Sequence, residues 1–113
     1  MATDPYLLER IRNLLNNRNV NFYEKNMFGG TAFMVDNKMC IGTFRSGLMA
    51  RVNPDDVEQL LTRTATEQMM QRERAMKGYL WIAAEGYDMD DDLEFWVNTC
   101  LAWNPFAKAS KKR

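Results

Sequence analysis

The first regular pattern of apolar residues along the chain is helical. Asp4 supplies an N-cap acceptor, and Pro5 follows at the first helical position, where its missing N–H leaves no unpaired donor. Apolar side chains then recur at spacings of three and four, which predicts one buried helix face: Leu7, Leu8, Ile11, Leu14 and Leu15. The polar run at 16–19 ends this helix.

Between residues 20 and 52 the pattern changes to short runs rich in β-branched and aromatic residues. These runs predict four strands, over 20–24, 28–35, 38–44 and 48–52. Asp36-Asn37 and Ser46-Gly47 lie where tight hairpin turns need residues that tolerate positive φ. Strands joined by such short turns are antiparallel, so the segment is a meander.

The second half of the chain adds two helices and one or two strands. Asn53 and Pro54 open a helix over 54–63, the polar stretch 64–77 suggests a weak strand plus a loop, and 79–83 is an aromatic-rich strand. A last helix runs from 88 to about 106. The order predicts an α+β two-layer sandwich, in which helices cover one face of an antiparallel sheet of about five to six strands.

Composition bounds the number of domains and the setting. A chain of 113 residues fits one domain, over 1–107, and we expect the basic tail at 108–113 to be disordered. The first residues lack the pattern of a signal peptide, and no apolar run is long enough to cross a bilayer, so a cytoplasmic protein without membrane contact is expected.

The charge balance is even in sum but uneven along the chain. There are 15 basic and 15 acidic side chains, and the last six residues hold four of the basic ones, so the body is slightly acidic. A domain that binds nucleic acid through its backbone usually shows a basic face. The bulk charge therefore argues mildly against strong autonomous binding to DNA.

Several kinds of catalytic chemistry lack their residues. The chain has no histidine, which removes Ser-His and Cys-His nucleophiles and imidazole metal sites. Its two cysteines, Cys40 and Cys100, are too few for a four-thiolate zinc site and are expected to be small core residues. Gly29-Gly30 lacks the third glycine of a phosphate loop. We expect no cofactor, no metal and no catalytic residue.

An acidic run at 88–94 is the strongest candidate for a metal site. The EF-hand template fails, because the sixth position from Asp88 is Leu93 and the twelfth is Thr99. Capping and the helix dipole explain carboxylates at a helix start. Weak binding of a divalent cation is the alternative.

Methionines and aromatic residues each have a core and a surface interpretation. Four of the nine methionines lie within strands and are expected in the core, whereas four in polar context are candidates for an exposed partner patch: Met69, Met70, Met76 and Met89. Most aromatic residues of the C-terminal third are expected to cover the sheet. Trp103 and Tyr79, each near basic residues, are the exceptions that favour stacking on bases.

Basic residues outside the first half suggest a contact with an anion or a partner. Arg51 and Arg63 are expected to lie near these basic residues. The alternative is that the basic residues only form a charged surface exposed to solvent. The candidate contact residues are Arg72, Arg74, Lys77, Lys108, Lys111, Lys112 and Arg113.

The segment from 27 to 51 resembles the N-terminal domain of the TfoX/Sxy family of competence regulators. The motif residues that carry the resemblance are Met27, Phe28, Gly29, Gly30, Lys38, Gly42 and Arg51. Met76-Lys77-Gly78-Tyr79 and Trp96-Val97 are similar to the family's second half. The resemblance implies the α+β sandwich and a link to bacterial regulators of natural competence and transcription, and it brings no catalytic residue. Some family members carry an RNA-methyltransferase label.

Three functional hypotheses follow, in this order. The first is a non-enzymatic binding or regulatory domain that acts through contacts with another protein. The second is a nucleic-acid accessory protein that uses the tail and the 72–77 stretch, and the third is an RNA-modifying enzyme. A homodimer is expected as well, because an antiparallel sheet of this size leaves edges to be paired.

Overall fold

A computed structural model describes residues 5–27 and 29–107 of the chain. Over these residues it has three α-helices, six strands and three short 3-10 segments. The α-helices are α1 (Pro5–Asn17), α2 (Val57–Leu60) and α3 (Asp90–Trp103). The strands are β1 (Tyr23–Met27), β2 (Gly30–Val35), β3 (Lys38–Phe44), β4 (Gly47–Arg51), β5 (Thr66–Gln71) and β6 (Arg74–Ile82), and the 3-10 segments are Pro54–Asp56, Ala84–Gly86 and Asn104–Phe106.

The six strands form one open antiparallel sheet in the order β1-β2-β3-β4-β6-β5. This confirms the predicted α+β class and the antiparallel sheet. β1 and β5 are the edge strands. The homodimer expected from these edges stays a prediction, which light scattering would test.

Two hairpins of the meander use two-residue turns in the left-handed region. Asp36 and Asn37 have φ of 56° and 63°, and Arg45 and Ser46 have φ of 53° and 61°. Positive φ at both central residues gives a turn whose twist matches that of the flanking strands. The second turn lies one residue earlier than predicted, and Gly47 already belongs to β4.

The main core lies between the helices and one face of the sheet. Helical side chains such as Leu7, Ile11 and Trp96 are fully buried against strand residues such as Phe33 and Ile82. Strand residues alternate between this core and a second cluster that contains strand residues only. All the helical contributions therefore fall on one face of the sheet, as predicted.

An ion pair links α1 to the edge of the sheet. Nε and Nη2 of Arg12 donate to the carboxylate of Glu24 at 2.5 and 2.9 Å. This hydrogen bonding lowers the pKa of Glu24 below its ordinary value. Because both side chains are partly exposed, the pair positions β1 more than it stabilises the fold.

Several predicted boundaries are wrong. The first strand starts at Tyr23 and not at residue 20, because Val20 and Phe22 pack on the core from the loop that precedes it. The second helix is a 3-10 segment followed by one short α-helical turn that ends at Leu60. The loop predicted within 64–77 is wrong: this stretch is a hairpin of β5 and the first part of β6.

Some expectations fall outside the described residues. These are the cap at Asp4, the motif residue Phe28 and the tail at 108–113. Of the helices that the structure describes, none combines the length and the apolar character needed to span a membrane.

Candidate binding surfaces

The two glycines that follow the first strand have different structural roles. Gly29 lies in the turn before β2 with φ of +78°, and a Cβ there would meet no atom within 4 Å. Gly30 has no positive φ, but its Cβ would lie 1.9 Å from the carbonyl oxygen of Thr43 on the next strand. Gly42 shows the reciprocal contact, with its Cβ 2.3 Å from the carbonyl oxygen of Thr31. The motif therefore lets β2 and β3 approach closely.

Lys38 binds the C-terminal end of the last helix. Its Nζ donates to the carbonyl oxygens of Asn104 and Pro105 at 3.1 and 3.3 Å. The Asn104 Nδ2 in turn donates to the carbonyl oxygen of Val35 at 3.2 Å. A cation near the last carbonyls also complements the helix dipole. The 3-10 segment Asn104–Phe106 is thus attached to the β2–β3 turn.

Arg51 lies on the face of the sheet that is turned away from the helices. Its guanidinium carbon is 5.4 Å from the centroid of the Tyr79 ring, and Nη1 donates to the carbonyl oxygen of Met39 at 3.4 Å. Together with Lys38 and the glycines, this gives the described motif residues structural contacts. Their role in binding is a matter for proposals.

The sheet face opposite the helices is filled largely by methionine; we call it the methionine face. Its buried centre consists of Ala32, Met34, Met39, Met49 and Met69, surrounded by Met27, Phe44, Met76, Tyr79 and Trp81. Flexible thioether chains fill irregular gaps well. In the described residues this face has no helix on it, so the side chains of the strands bury one another.

The expected exposed methionine patch is partly wrong. Met69 is buried, because it lies two positions from Glu67, which pairs with Trp81, so the alternation of β5 turns it into the methionine face. Met76 is half-buried, whereas Met70 and Met89 are exposed, by 54% and 68%. Only the last two remain accessible to a partner.

The β5–β6 hairpin extends beyond the rest of the sheet; we call residues 69–77 the hairpin arm. β4 pairs with β6 only from Tyr79 to Ile82, so the earlier part of β6 has β5 as its one neighbouring strand in the described sheet. Gly78, with φ of +79°, marks the base of the arm beside Val52 and Pro54. Few contacts therefore cover the arm.

Gln68 closes the bulge at the base of the arm. Its Nε2 lies within 2.9 to 3.1 Å of the carbonyl oxygens of Met69, Met76 and Tyr79. A bulge leaves ladder groups unpaired, and the two N–H donors of this amide are shared among the three carbonyls. This sets the direction in which the arm leaves the sheet.

The arm carries three of the predicted contact residues. Arg72, Arg74 and Lys77 are exposed, and none of them forms an ion pair within the described residues. Gln71 is two positions from Met69 and therefore lies on the same side of β5, and its partner Arg74 lies on that side too, which is the side of the methionine face. Lys77 follows Met76 of the methionine face and therefore points to the opposite side. The three cations thus surround the arm.

Arg63 does not join these cations. It stacks on the Phe95 ring at 3.7 Å from the centroid and binds the carboxylate of Asp92 at 3.5 Å, within the helical layer. Arg51 lies on the methionine face, against Tyr79. The larger basic patch expected from the sequence is therefore not assembled. The predicted tail contacts, Lys108, Lys111, Lys112 and Arg113, lie outside the described residues.

The acidic run is used in two ion pairs and in the helix dipole. Asp90 Oδ1 forms an ion pair with Arg10 Nη2 at 3.1 Å, and Asp92 forms one with Arg63. The three residues Asp90 to Asp92 occupy the first turn of α3. The expected carboxylate cap is wrong, because the N-cap position is Met89, which makes no side-chain capping bond. Over the described residues, no group of three or more potential ligand side chains is arranged to hold a metal ion.

Both thiols are buried in the main core. Burial raises the pKa of Cys40 to about 12 and raises that of Cys100 as well. Nucleophilic cysteines need a lowered pKa and access. Both residues are held as protonated core side chains, as the sequence predicts.

A groove between the Pro54–Asp56 segment and the end of α3 was not predicted. It is lined by Asn53, Asp56, Thr99, Ala102, Trp103 and Phe106, with a volume of about 510 Å³. The Trp103 and Phe106 rings stack with centroids 5.7 Å apart, and Phe106 is 71% exposed. Of the residues that line the groove, Trp103 is the one that the sequence predicts as a contact residue, for stacking on bases.

Comparison with known proteins gives one family. The family model described as the TfoX N-terminal domain matches residues 15–103. The match runs from the last turn of α1 to the end of α3 and includes the motif residues from Met27 to Arg51. Neither the comparison with curated proteins nor that with solved structures gave a match.

Proposed function

Because the chain belongs to the TfoX N-terminal domain family, we propose that it is a non-enzymatic binding domain that regulates a partner protein by direct contact. The observation that carries this proposal is the hairpin arm. A role in the control of natural competence in a bacterial cytoplasm is part of this proposal, and only the family supports it.

The arm has the properties of a protein-binding surface. It is a two-stranded ribbon whose outer edges have no neighbouring strand within residues 5–27 and 29–107, and such edges pair readily with another chain. Met70 is 54% exposed on it and offers an adaptable apolar contact. A partner strand or loop laid on the arm would satisfy the backbone and cover Met70 together.

The remaining chemistry supports binding more than catalysis. Lys38 and Arg51, the charged motif residues, are engaged in contacts that hold the fold. Both thiols are protonated and buried. An enzyme of this chain would have to rely on carboxylates, lysines or tyrosines on an open surface.

The test is chemical cross-linking and capture of partners by the tagged full chain, compared between two matched variants. Met70→Ser removes the apolar contact of the arm, and Met89→Ser is its control, since Met89 is 68% exposed away from the arm. We expect a specific protein that is captured by the natural chain and by Met89→Ser but is lost with Met70→Ser. Equal capture by both variants, or none by the natural chain, would contradict the proposal.

A nucleic-acid accessory role is the second candidate, and the cations of the arm favour it. A two-stranded ribbon fits the major groove of DNA, which is about 12 Å wide, and the exposed Arg72, Arg74 and Lys77 would meet phosphates. Replacing all three by glutamine should then weaken binding and lower the slope of log K against log salt by about 0.9 for each lost phosphate contact. The same measurement on a chain without residues 108–113 shows how much the tail contributes to binding. An unchanged slope in both variants would rule this role out.

A further inference from the structure

The groove at the end of α3 combines an aromatic surface with a carboxylate that has no partner. Trp103 and Phe106 stack at an interplanar angle of 29°, and the exposed Phe106 leaves π surface open to the groove. No ion pair or hydrogen bond engages the carboxylate of Asp56 within the described residues. Two other lining oxygens are engaged: Asn53 Oδ1 accepts from the Asp55 N–H, and Thr99 Oγ1 donates to the carbonyl of Phe95.

The two chain segments that form the groove are strongly acidic. Residues 53–65 and 83–107 carry one basic side chain, Arg63, which binds Asp92. Lys38, which contacts the segment from the sheet side, is held by two backbone carbonyls. Of their nine acidic side chains, Asp56 lines the groove and Asp55 is its neighbour in the chain, whereas the run at 88–94 lies at the start of α3, about 20 Å along the helix from Trp103. The last turn of α3, which faces the groove, has no basic residue.

We propose that this groove binds a lysine or arginine side chain from a basic segment of a partner protein. An aromatic face attracts a cation through its quadrupole, and a neighbouring carboxylate adds an ion pair. The carboxylate of Asp56, together with the negative end of the α3 dipole, favours a basic chain at the groove over the phosphates of a nucleic acid. The site is distinct from the hairpin arm, so it goes beyond the proposed function and fails or stands independently of it.

The expected affinity is modest for one side chain and depends on salt. An exposed cation–π contact and an exposed ion pair each change a dissociation constant by about twofold to fivefold. Useful affinity therefore needs several basic residues along the acidic surface. Raising the ionic strength from about 0.01 M to about 0.1 M shortens the Debye length from about 30 Å to about 10 Å and should weaken binding severalfold.

The probe is a short fluorescent peptide of alternating arginine and glycine, with a peptide that has glutamate in place of arginine as its counterpart. Binding to the full chain is measured by fluorescence anisotropy at low and moderate salt. In parallel, NMR follows the indole N–H signal of Trp103. We expect the arginine peptide to bind, to shift this signal and to lose affinity with salt, while the glutamate peptide does neither.

Matched variants test the two parts of the groove. Asp56→Asn removes the carboxylate, and Asp36→Asn removes one in the β2–β3 turn, where φ of 56° suits asparagine. Phe106→Ala removes the exposed ring, and Tyr6→Ala removes a ring on α1 that is equally exposed, at 73%. We expect each groove variant to weaken binding of the arginine peptide by about threefold and each control by less than about twofold.

Three results would overturn the proposal. These are equal effects of Asp56→Asn and Asp36→Asn, binding that leaves the Trp103 signal unshifted, and an oligonucleotide that shifts that signal as the peptide does. Circular dichroism of all four variants checks that they fold. Loss of peptide binding in Asp56→Asn with partner capture by the arm intact would separate this site from the proposed function.

Discussion

Gly29 and Gly30 are neighbours in the chain, but we predict that alanine at the two positions destabilises the protein by different amounts and for different reasons. At Gly30 the added Cβ would lie 1.9 Å from a backbone oxygen, which no side-chain rotation relieves. At Gly29 there is open space, and the cost comes only from φ of +78°. One position is limited by room and the other by backbone conformation.

The magnitudes follow from these two origins. Separating β2 from β3 at Gly30 belongs at the upper end of overpacking penalties, about 3 kcal/mol. That lowers the melting temperature by roughly 10 to 20 °C in a domain of this size. Gly29→Ala should cost about 1 kcal/mol, and Gly29→Asn less, because asparagine tolerates the left-handed region. Urea unfolding followed by tryptophan fluorescence, with thermal circular dichroism, measures all three.

A double mutant tests the reciprocal contact. Gly42→Ala presses on the same strand pair from β3, with its Cβ 2.3 Å from the Thr31 oxygen. Once the strands have been separated at Gly30, the second alanine should cost less, so the double mutant is more stable than the sum of single costs by about 1 kcal/mol. Equal losses for Gly29→Ala and Gly30→Ala, or full additivity with Gly42→Ala, would refute the reasoning.

Three further predictions concern single side chains. Lys38→Met should lower the free energy of unfolding by about 1 to 2 kcal/mol, against almost nothing for the exposed Lys25→Met, in urea unfolding. Cys40 and Cys100 should stay unlabelled by a thiol reagent at neutral pH until urea unfolds the chain, because burial raises both pKa values; rapid native labelling would contradict this. The lowered pKa of Glu24 gives stability that is present above its ordinary value of 4.5 and is lost as the pH falls through the folded value. Glu24→Gln should therefore cost up to about 0.5 kcal/mol at neutral pH and nothing in strong acid, and an equal cost at both would count against it.

Strong periodicity made part of the fold predictable. α1 and β3 each have one face or both faces buried, and their boundaries match the sequence pattern. The hairpin arm was not predicted, because little of it packs on a core and its sequence therefore lacks an alternating pattern of apolar and polar residues. Its turn also contains Arg72 at φ of 60°, with no glycine to mark the turn. The polar neighbours of Met69 suggest an exposed side chain, whereas the pairing of Glu67 with Trp81 puts that side of β5, and with it Met69, on the methionine face.

The candidate sites were predictable only where the residues are close in sequence. Arg72, Arg74 and Lys77 lie within one hairpin, so their clustering could be expected. The groove brings Asp56 beside Trp103 and Phe106 through packing of a 3-10 segment on a helix, and no spacing in the sequence encodes that. The one available signal was an aromatic residue placed after the last helical turn.

The bonds of Lys38 and Asn104 give the protein a route for communication between its ends. Phe106 belongs to a 3-10 segment whose carbonyls are held by Lys38, and Asn104 of that segment holds Val35. We therefore expect a ligand that moves the aromatic wall of the groove also to displace the hairpin between β2 and β3, to which this wall is directly bonded. Hydrogen exchange of the turn amides would report occupancy of the groove, and substitutions at Lys38 should weaken this coupling while the Asn104–Val35 bond keeps part of it.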